Sequence, residues 1–305
     1  MIESEIVCPI CKSKLTEKNQ KVIWEFDVSG KIINCSDCDV EYTSYWQDEG
    51  FVQSLYEGDS YVFHHNASKP ENLKFDEYKV RLEHILNFVN KDSNVLEVGC
   101  GDGKFMQILS PHVKSVEGIE LSPPQVSQVR KMGFVCYEKM LTELVIDKKY
   151  DVICMYAVLE HIPNVSIFLN SIQEFLNPDA KVIIEVPNRK NVLYSSVCIT
   201  EFKQLYYKKV HLYYFTPDSL KLLLNKHGFN PTITTYQQAS LTNHFNWFCK
   251  KLPQKNADFM TSITLEGLEV LDDGYIDILD ELDNFYRELL AKSNQGDLML
   301  AVFDA

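Results

Sequence analysis

N-V-L-E-V-G-C-G-D-G, residues Asn94 to Gly103, is the stretch that decides the fold of this 305-residue chain. Asn94 to Val98 is a short apolar run with β-branched residues, which is typical of a buried parallel strand. A glycine turn follows directly, and Lys104 to Leu109 then starts a helical pattern. In such a strand–turn–helix unit, bare backbone N–H groups and the helix N-terminus face a ligand. The stretch therefore predicts a nucleotide-type ligand at the end of a central strand.

The turn has the pattern G-x-G-x-G, and not the G-x-G-x-x-G of dinucleotide-binding folds. Glu97 stands just before it, where a carboxylate would repel a pyrophosphate and suit a cation. The run V-L-E-V-G-C-G-D-G resembles motif I of the class I S-adenosylmethionine (SAM)-dependent methyltransferases. On these residues alone, a Rossmann-like turn for another nucleotide stays an alternative. The resemblance implies that the methionine end of SAM lies against Glu97, Gly99, Cys100, Gly101, Asp102 and Gly103.

An acidic residue, Glu120, closes a second predicted strand that begins at Ser115. An acid at this place accepts hydrogen bonds from both ribose hydroxyls of a nucleoside. The next residues predict a helix start, with Ser122 as the cap and proline at the first position. Methyltransferases of this family share the acid–x–Ser pattern, so the resemblance adds Glu120, Leu121 and Ser122 to the cofactor site.

Two further strands extend the resemblance. Gly133 to Glu138 is the third predicted strand, and the family places the residues after it beside the adenine. Tyr150 to Met155 is the fourth, and it continues into the segment L-E-H-I-P that the family also has. The cofactor contacts implied here are Met140, Leu141 and Tyr156.

Glu160 and His161 lie at the end of the fourth strand, where they would shape the pocket or move a proton. Quinone-type O-methyltransferases carry a further glutamate that gives E-x-x-E-H and a metal site. Ala157 stands at that position, so we predict no metal there. His161 is the first candidate general base, with a structural hydrogen-bonding role as the alternative, and His211 is the second candidate.

Two C-x-x-C pairs stand in the first 50 residues. Four thiolates in two such turns close a tetrahedral zinc site without redox chemistry. A β-hairpin at 21–26 and 31–34 would fill the gap between the pairs, and so small a segment needs a staple of this kind. The metal is predicted to be structural, with a part in substrate recognition as the alternative. The predicted zinc ligands are Cys8, Cys11, Cys35 and Cys38.

The remaining strands are predicted at 181–186, 231–236 and 297–303, the last antiparallel if the family pattern holds. A helix at 166–176 is expected to stop at Asn177-Pro178-Asp179. The fold class is therefore α/β: a doubly wound, seven-stranded Rossmann-like methyltransferase sheet with a small N-terminal zinc ribbon. The predicted domains are a zinc ribbon at 1–50, a connector at 51–75 and a SAM-dependent methyltransferase domain at 76–305, with a substrate lid at 189–216 and a helical C-terminal insertion at 240–292. The aromatic-rich lid has an alternative interpretation, an aromatic segment packed on the core or on a second subunit.

The composition of the chain limits the classes of partner that it is expected to bind. A net charge of −13 and a pI of about 5.1 oppose binding to phosphate backbones, so a nucleic-acid substrate is disfavoured. The N-terminus lacks the basic and apolar regions of a signal peptide, and no apolar run approaches the ~18–20 residues of a membrane span. The cysteines outside the two pairs are scattered through apolar segments, which suits a reducing cytoplasm. The oligomeric state stays open, with a homodimer as one option.

Together these observations predict methyl transfer from SAM to a small-molecule acceptor. A sugar or sugar nucleotide of surface-polysaccharide or secondary metabolism is favoured, because a zinc ribbon in front of this domain also occurs in family members from such pathways. Three alternatives remain at this point: an rRNA or tRNA methyltransferase, a nicotinamide-dependent oxidoreductase, and a non-catalytic SAM-binding protein. A general base is needed only if the acceptor must lose a proton.

Overall fold

The computed structural model describes residues 7–26, 30–46, 50, 71–253 and 273–304, with side chains described outside 71–77 and 273–276. Most of the predicted connector, including His64 and His65, lies outside these ranges. The chain forms two compact units. The first, here called the ribbon unit, comprises Met1–Glu77, Pro187–Ser219 and Thr234–Met299. The second, here called the sheet unit, comprises Tyr78–Val186, Leu220–Ile233 and Leu300–Ala305.

The described strands are β1 Gln20–Phe26, β2 Gly30–Cys35, β3 Val40–Thr43, β4 Asn94–Val98, β5 Ser115–Ile119, β6 Cys136–Tyr137, β7 Tyr150–Tyr156, β8 Leu176–Pro187, β9 Tyr213–Tyr214, β10 Thr232–Tyr236 and β11 Leu298–Asp304. The described α-helices are α1 Glu71–Ile85, α2 Lys104–Leu109, α3 Pro123–Lys131, α4 Val165–Ile172, α5 Val192–Ser195, α6 Thr200–Tyr206, α7 Pro217–Lys226, α8 Leu241–Lys250 and α9 Asp273–Lys292. None of these helices is long and apolar enough to cross a membrane.

The ribbon unit contains a four-stranded sheet in the order β1-β2-β3-β9. The predicted hairpin is present, since β1 and β2 pair antiparallel with a bulge between Val22 and Trp24. The fourth strand, β9, comes from a distant part of the chain and pairs antiparallel with β3, with Tyr42 opposite Tyr213. The small N-terminal sheet is therefore completed by residues of the predicted lid.

An aromatic cluster forms the core of this sheet. Its buried members are Ile32, Tyr194, Tyr207 and Tyr214, and half-buried Ile23, Trp24, Phe26, Phe202 and Tyr206 pack against them. Most of these residues come from the aromatic-rich segment of the sequence, which thereby gains a large buried surface on the ribbon strands. Whether the segment also covers a substrate stays a prediction.

The main sheet has the predicted seven strands, in the order β10-β11-β8-β7-β4-β5-β6. The β4–β5, β5–β6, β4–β7 and β7–β8 pairs are parallel. From β4 the chain first winds outward through β5 and β6, then returns to the other side of β4 and continues through β7 and β8. The strand order therefore reverses at β4, and open α/β sheets bind ligands at such a switch point, outside the carboxyl ends of the strands.

Three boundary predictions are corrected. The third strand is only Cys136–Tyr137, and the helix before β8 ends at Ile172 and is followed by a short 3₁₀ turn. The predicted stop at Asn177-Pro178-Asp179 lies inside β8, which begins at Leu176. These residues form an irregularity in the pairing with β7, and the Asn177 side chain donates to Asp151 Oδ1 at 2.7 Å. The bulge lets turn-type residues stand within a strand.

Candidate functional site

The glycine turn after β4 is tied to the next strand. The backbone N–H groups of Gly99 and Cys100 donate to Ile119 O at 2.8 and 3.0 Å. Gly99 has φ +72°, and a Cβ there would lie 2.5 Å from Val158 Cγ2. Gly101 has φ +53°, and no atom lies within 4 Å of the place its Cβ would take. Bare backbone at Gly101 thus faces open space, where a ligand can approach closely.

Glu120 is fixed by backbone donors on both sides. Its Oε2 accepts from Gly101 N at 3.0 Å, and its Oε1 accepts from Leu121 N at 2.8 Å and Ser122 N at 2.9 Å. A carboxylate has about four acceptor positions, and these donors use three of them, so one position on Oε2 remains for a ligand hydroxyl. The turn and the predicted ribose acid are therefore brought together, as the sequence predicts.

Ser122 precedes α3 as expected, but its side chain makes no capping hydrogen bond. The predicted cap position and the proline after it are therefore confirmed, while the capping hydrogen bond is not formed. Prolines at the first two helical positions, Pro123 and Pro124, offer no N–H, so one of the two donors that a cap accepts is missing.

Glu97 is buried at the end of β4, with 4% of its surface exposed. No described group donates to its Oε2. Burial raises the pKa of Glu97 well above its ordinary value; nearby Arg81 lowers it in part, and Asp102 and Glu120 raise it further. The carboxylate predicted to attract a cation is therefore a group that favours its neutral form until a positive charge arrives.

An ion pair that the sequence analysis missed lies in the same unit. Arg81 of α1 donates through Nη2 to Glu185 Oε1 at 2.7 Å, and Glu185 is fully buried in β8. The guanidinium carbon lies 4.9 Å from the ring centroid of Tyr156. From the same helix, the Tyr78 hydroxyl donates to Asp102 Oδ1 at 3.2 Å. A glutamate inside the apolar run K-V-I-I-E-V was the signal that a buried partner exists.

The other predicted site residues take the following places. Met140 is half-buried and Leu141 is buried, at the start of a 3₁₀ turn. His161 Nε2 lies 3.9 Å from Glu160 Oε1 in the sheet unit. His211 belongs to the ribbon unit, where its ring centroid lies 5.8 Å from that of Tyr214. Both histidines stay predicted acceptor-side residues.

Four thiols converge in the ribbon. All four Sγ atoms lie within 4.8 Å of one another, and the Cys8–Cys38 and Cys11–Cys35 Sγ distances are both 3.7 Å. In a tetrahedral zinc site with Zn–S bonds of about 2.3 Å, neighbouring sulfurs are about 3.8 Å apart. The donor set and its spacing therefore fit zinc.

Each cysteine pair ends in the same backbone conformation. Lys12 and Asp39, the residues directly after the second cysteines, have φ +64° and +55°. The chain folds back there, with Lys12 N donating to Cys8 O at 3.1 Å and Asp39 N donating to Cys35 O at 2.8 Å. These left-handed turns aim both thiols of a pair to one side.

A buried acid on β3, Glu41, lies next to the turn of the second cysteine pair, Cys35 and Cys38. The sequence analysis did not identify it. Glu41 accepts from the Tyr194 hydroxyl at 2.8 Å, the Tyr207 hydroxyl at 2.7 Å and Arg189 Nη1 at 3.2 Å. Arg189 also donates to the carbonyl oxygen and the side chain of Asp39. The thiol cluster and the aromatic segment are therefore joined by one polar network. No pattern in the sequence pairs Glu41 with residues about 150 positions away.

Comparison with known proteins agrees with this geometry. Residues 73–233, just over half of the chain, match the family model described as "Methyltransferase domain". The ubiquinone biosynthesis O-methyltransferase of Rickettsia akari is 26% identical over 137 residues, which cover 40% of this chain and 55% of that protein. The protein of the same name from Rickettsia felis is 28% identical over 127 residues, covering 38% and 52%. The chain thus spans about half the length of these curated relatives.

A similar fold is found in a SAM-dependent methyltransferase from Thermotoga maritima. The TM-score is 0.52 at 14% sequence identity, and the match covers 83% of this chain and 99% of that chain. At this identity the similarity concerns the fold alone.

Proposed function

Because this chain belongs to the methyltransferase domain family and is a SAM-dependent methyltransferase, we propose that its acceptor is a small molecule, a sugar or sugar nucleotide. Family membership decides against two of the alternatives drawn from the sequence, the nicotinamide-dependent oxidoreductase and the non-catalytic protein. Methylation of RNA remains as the competing acceptor class.

The open backbone at Gly101 beside Glu120 is the observation that carries the proposed cofactor site. Glu120 would hold the ribose hydroxyls, and Glu97 with Asp102 would favour the positively charged methionine end. Met140 and Leu141 would flank the adenine. The unsatisfied Oε2 of buried Glu97 and the room at Gly101 both fit a cationic ligand lying on the turn.

SAM supplies a methyl group on a sulfonium, which is already an excellent leaving group. The protein's part is then to align the acceptor in line with the methyl group and to exclude water. An acceptor hydroxyl must also lose its proton, and an imidazole is suited to take it near neutral pH. We assign that role to His161 first and His211 second.

Two arguments support the small acceptor. The net charge of −13 opposes the phosphate contacts that supply most of the affinity for RNA. The ribbon in front of the methyltransferase domain resembles that of family members from sugar-nucleotide and surface-polysaccharide pathways. The curated relatives carry the name of a ubiquinone methyltransferase, which makes a phenol the natural third acceptor to test.

In the ribbon unit, Cys8, Cys11, Cys35 and Cys38 would hold a structural zinc ion. A closed set of four thiolates leaves no open position for a substrate, so the metal's contribution is to folding. Its direct test is the metal content of the purified protein, with one zinc per chain expected and none in the Cys8→Ser, Cys35→Ser double variant.

The acceptor is tested by label transfer from methyl-labelled SAM to three panels: sugar nucleotides, bulk ribosomal and transfer RNA, and catechol-type phenols. We expect label in a sugar nucleotide and background counts in RNA. Label in RNA would overturn the acceptor class, and label in phenols alone would replace the sugar by an aromatic acceptor. A parallel calorimetric titration with SAM shows that the protein used is competent to bind the donor.

A further inference from the structure

Two buried thiols meet beside the glycine turn. Cys100 belongs to the turn itself and Cys136 lies on β6, and their Sγ atoms are 3.8 Å apart. Only 5% of Cys100 and 4% of Cys136 are exposed. The pair is separate from the four ribbon cysteines, and although Cys100 is among the predicted cofactor contacts, the proposed methyl transfer uses neither thiol group.

The contact between the two thiols is possible because a glycine stands on the strand between them. β5 lies between β4 and β6, and its Gly118 pairs with Glu97 on one side and Cys136 on the other. A Cβ on Gly118 would lie 2.5 Å from Cys100 Sγ and 3.0 Å from Met106 Sδ. Glycine therefore leaves the space through which Cys100 reaches across β5. The contact between the two thiols therefore depends on the turn after β4, on Gly118 of β5 and on Cys136 of β6.

Cys136 has the surroundings of a reactive thiol. Arg130 donates through Nη2 at 2.8 Å and Nε at 3.1 Å to the Cys136 carbonyl oxygen, which brings a guanidinium close to the residue. The hydrogen bond from Cys100 lowers the pKa of Cys136 and Arg130 lowers it further, against burial and the carboxylates of Glu120 and Glu138. A thiol with a lowered pKa in contact with a second thiol is a pair from which a disulfide can form.

We propose that Cys100 and Cys136 form a reversible disulfide when the protein meets a hydroperoxide, and that the bond lowers the affinity for SAM. The Cys136 thiolate attacks a peroxide oxygen, which gives a sulfenic acid and, for hydrogen peroxide, one water after protonation. The Cys100 sulfur then attacks the sulfenic sulfur and displaces hydroxide. The proton of the Cys100 thiol joins this hydroxide, and a second water leaves. Two electrons pass from the two thiols to the peroxide, and a dithiol reductant reverses the change.

The loss of affinity follows from the position of Cys100. Disulfide formation shortens the Sγ–Sγ distance from 3.8 Å to about 2.05 Å, so the turn must move toward β6. Gly101 is the next residue, and its N–H is bound to Glu120. A shift of the turn therefore disturbs the proposed ribose and methionine subsites together. This part of the inference rests on the proposed place of the cofactor.

The test uses the full-length, zinc-loaded protein and hydrogen peroxide. After treatment, free thiols are blocked by alkylation, and non-reducing digestion with mass spectrometry identifies linked peptides, while calorimetry measures SAM affinity. We expect a Cys100–Cys136 linked peptide, at least tenfold weaker SAM binding, and recovery with dithiothreitol. Cys136→Ser should keep its SAM affinity under the same treatment. Cys154→Ser, which removes another buried thiol of the same sheet, should behave like the natural protein.

The ribbon thiols also react with peroxide, so zinc release is followed with a chromogenic chelator. Because Cys136→Ser has the same ribbon, an equal loss of SAM affinity in this variant would overturn the proposal. Absence of the linked peptide at peroxide levels that oxidise Cys198 and Cys249, which are exposed, would also overturn it. A linked peptide with unchanged SAM affinity would overturn the effect on the cofactor, and would show the cofactor site to be misplaced. Cys136→Ala and thermal melts guard against misfolding of the serine variant.

Discussion

Two buried glutamates, one in each unit, show how differently the two parts of this protein use burial. Glu41 of the ribbon unit is 2% exposed and accepts hydrogen bonds from two tyrosines and Arg189. Glu97 of the sheet unit is 4% exposed, and no described group donates to its Oε2. Buried polar groups are usually satisfied in native proteins, so an unsatisfied carboxylate oxygen next to the glycine turn is consistent with the proposed place of a cationic ligand. Both oxygens of Glu41 are hydrogen-bonded, so we expect this acid to hold structure, and we expect Glu97 to bind a ligand.

The backbone around the two acids follows the same division. Near Glu41, Arg189 and β9 close the ribbon sheet against the aromatic segment. Near Glu97, the left-handed Gly101 faces open space. Breaking the first region should therefore cost stability, and altering the second should change affinity for SAM with little effect on stability.

Removal of the ribbon metal should have the largest effect. Structural zinc supplies on the order of 10 kcal/mol to small domains of this type. Because β9 and the Glu41 network attach the aromatic segment to the ribbon, chelation should expose the amides of both 20–43 and 192–214 to hydrogen exchange. Peptides of β4 and β5 in the sheet unit should keep their protection and serve as the internal control. If 192–214 stays protected while 20–43 opens, the two parts fold separately and the shared network carries no coupling.

Glu41→Gln tests the saturated acid itself. The change keeps the volume but removes the charge that faces Arg189, and breaking a buried ion pair costs about 3–5 kcal/mol. We expect the free energy of unfolding of the ribbon unit to fall by about 3 kcal/mol in urea titrations. The matched control is Glu25→Gln on β1, whose partner is Lys31 in an exposed pair, and which should change stability by less than about 1 kcal/mol. Equal effects of the two substitutions would show that the Glu41 network is not what holds the unit together.

The same contrast explains what the sequence could predict. Local patterns indicate the glycine turn, the acid at Glu120, the seven strands and the two cysteine knuckles, because each depends on residues close together in the chain. Glu41 gave no such signal, because its partners Tyr194, Tyr207 and Arg189 lie about 150 residues away. For the Arg81–Glu185 pair, the glutamate in the run K-V-I-I-E-V indicates a buried partner but not which residue it is, because Arg81 is 104 positions away in the sequence.

The ends of helices and strands were harder to predict than their presence. A proline next to asparagine and aspartate predicts the end of a structural element. In β8, however, these residues form an irregularity inside a strand, because Leu176 already pairs with Tyr150 and the pairing resumes at Lys181. Only the position of the neighbouring strand decides between a loop and a bulge, and that information is not local.

Glu120→Ala tests the proposed cofactor site in the sheet unit. A hydrogen bond from a ribose hydroxyl to a carboxylate contributes about 1.5–3 kcal/mol, so SAM affinity should fall by a factor of about 10 to 100. Circular dichroism and the melting curve should change little. Glu120→Gln keeps one acceptor oxygen, for Leu121 N and Ser122 N or for Gly101 N but not for both sides, so its SAM affinity should lie between those of the natural protein and Glu120→Ala. Glu138→Ala, at a more exposed acid nearby, is the control with unchanged affinity. Equal affinity in Glu120→Ala and Glu138→Ala would mean that the ribose lies elsewhere.

The smallest effect is the pH dependence of SAM binding that Glu97 should cause. Since burial raises its pKa in the free protein, the carboxyl keeps its proton to a higher pH than an ordinary glutamate, and a bound cation should lower that pKa again. SAM affinity should therefore rise with pH, by up to about tenfold per unit, until Glu97 is ionised in the free protein as well. The effect on folding has the opposite sign. The neutral form of Glu97 contributes stability below its pKa in the unfolded chain, about 4.5, and this contribution is lost as the pH rises through its pKa in the folded protein.

Glu97→Gln should remove this slope while Glu41→Gln leaves it intact. Calorimetry in two buffers of different ionisation enthalpy measures the proton released on SAM binding, with a value between zero and one expected for the natural protein and near zero for Glu97→Gln. Besides burial, the charged groups that act on the pKa of Glu97 are Arg81, which lowers it, and Asp102, Glu120 and Cys136, which raise it. An unchanged pH slope in Glu97→Gln would show that the released proton does not come from Glu97, and would overturn its proposed role in binding the cation.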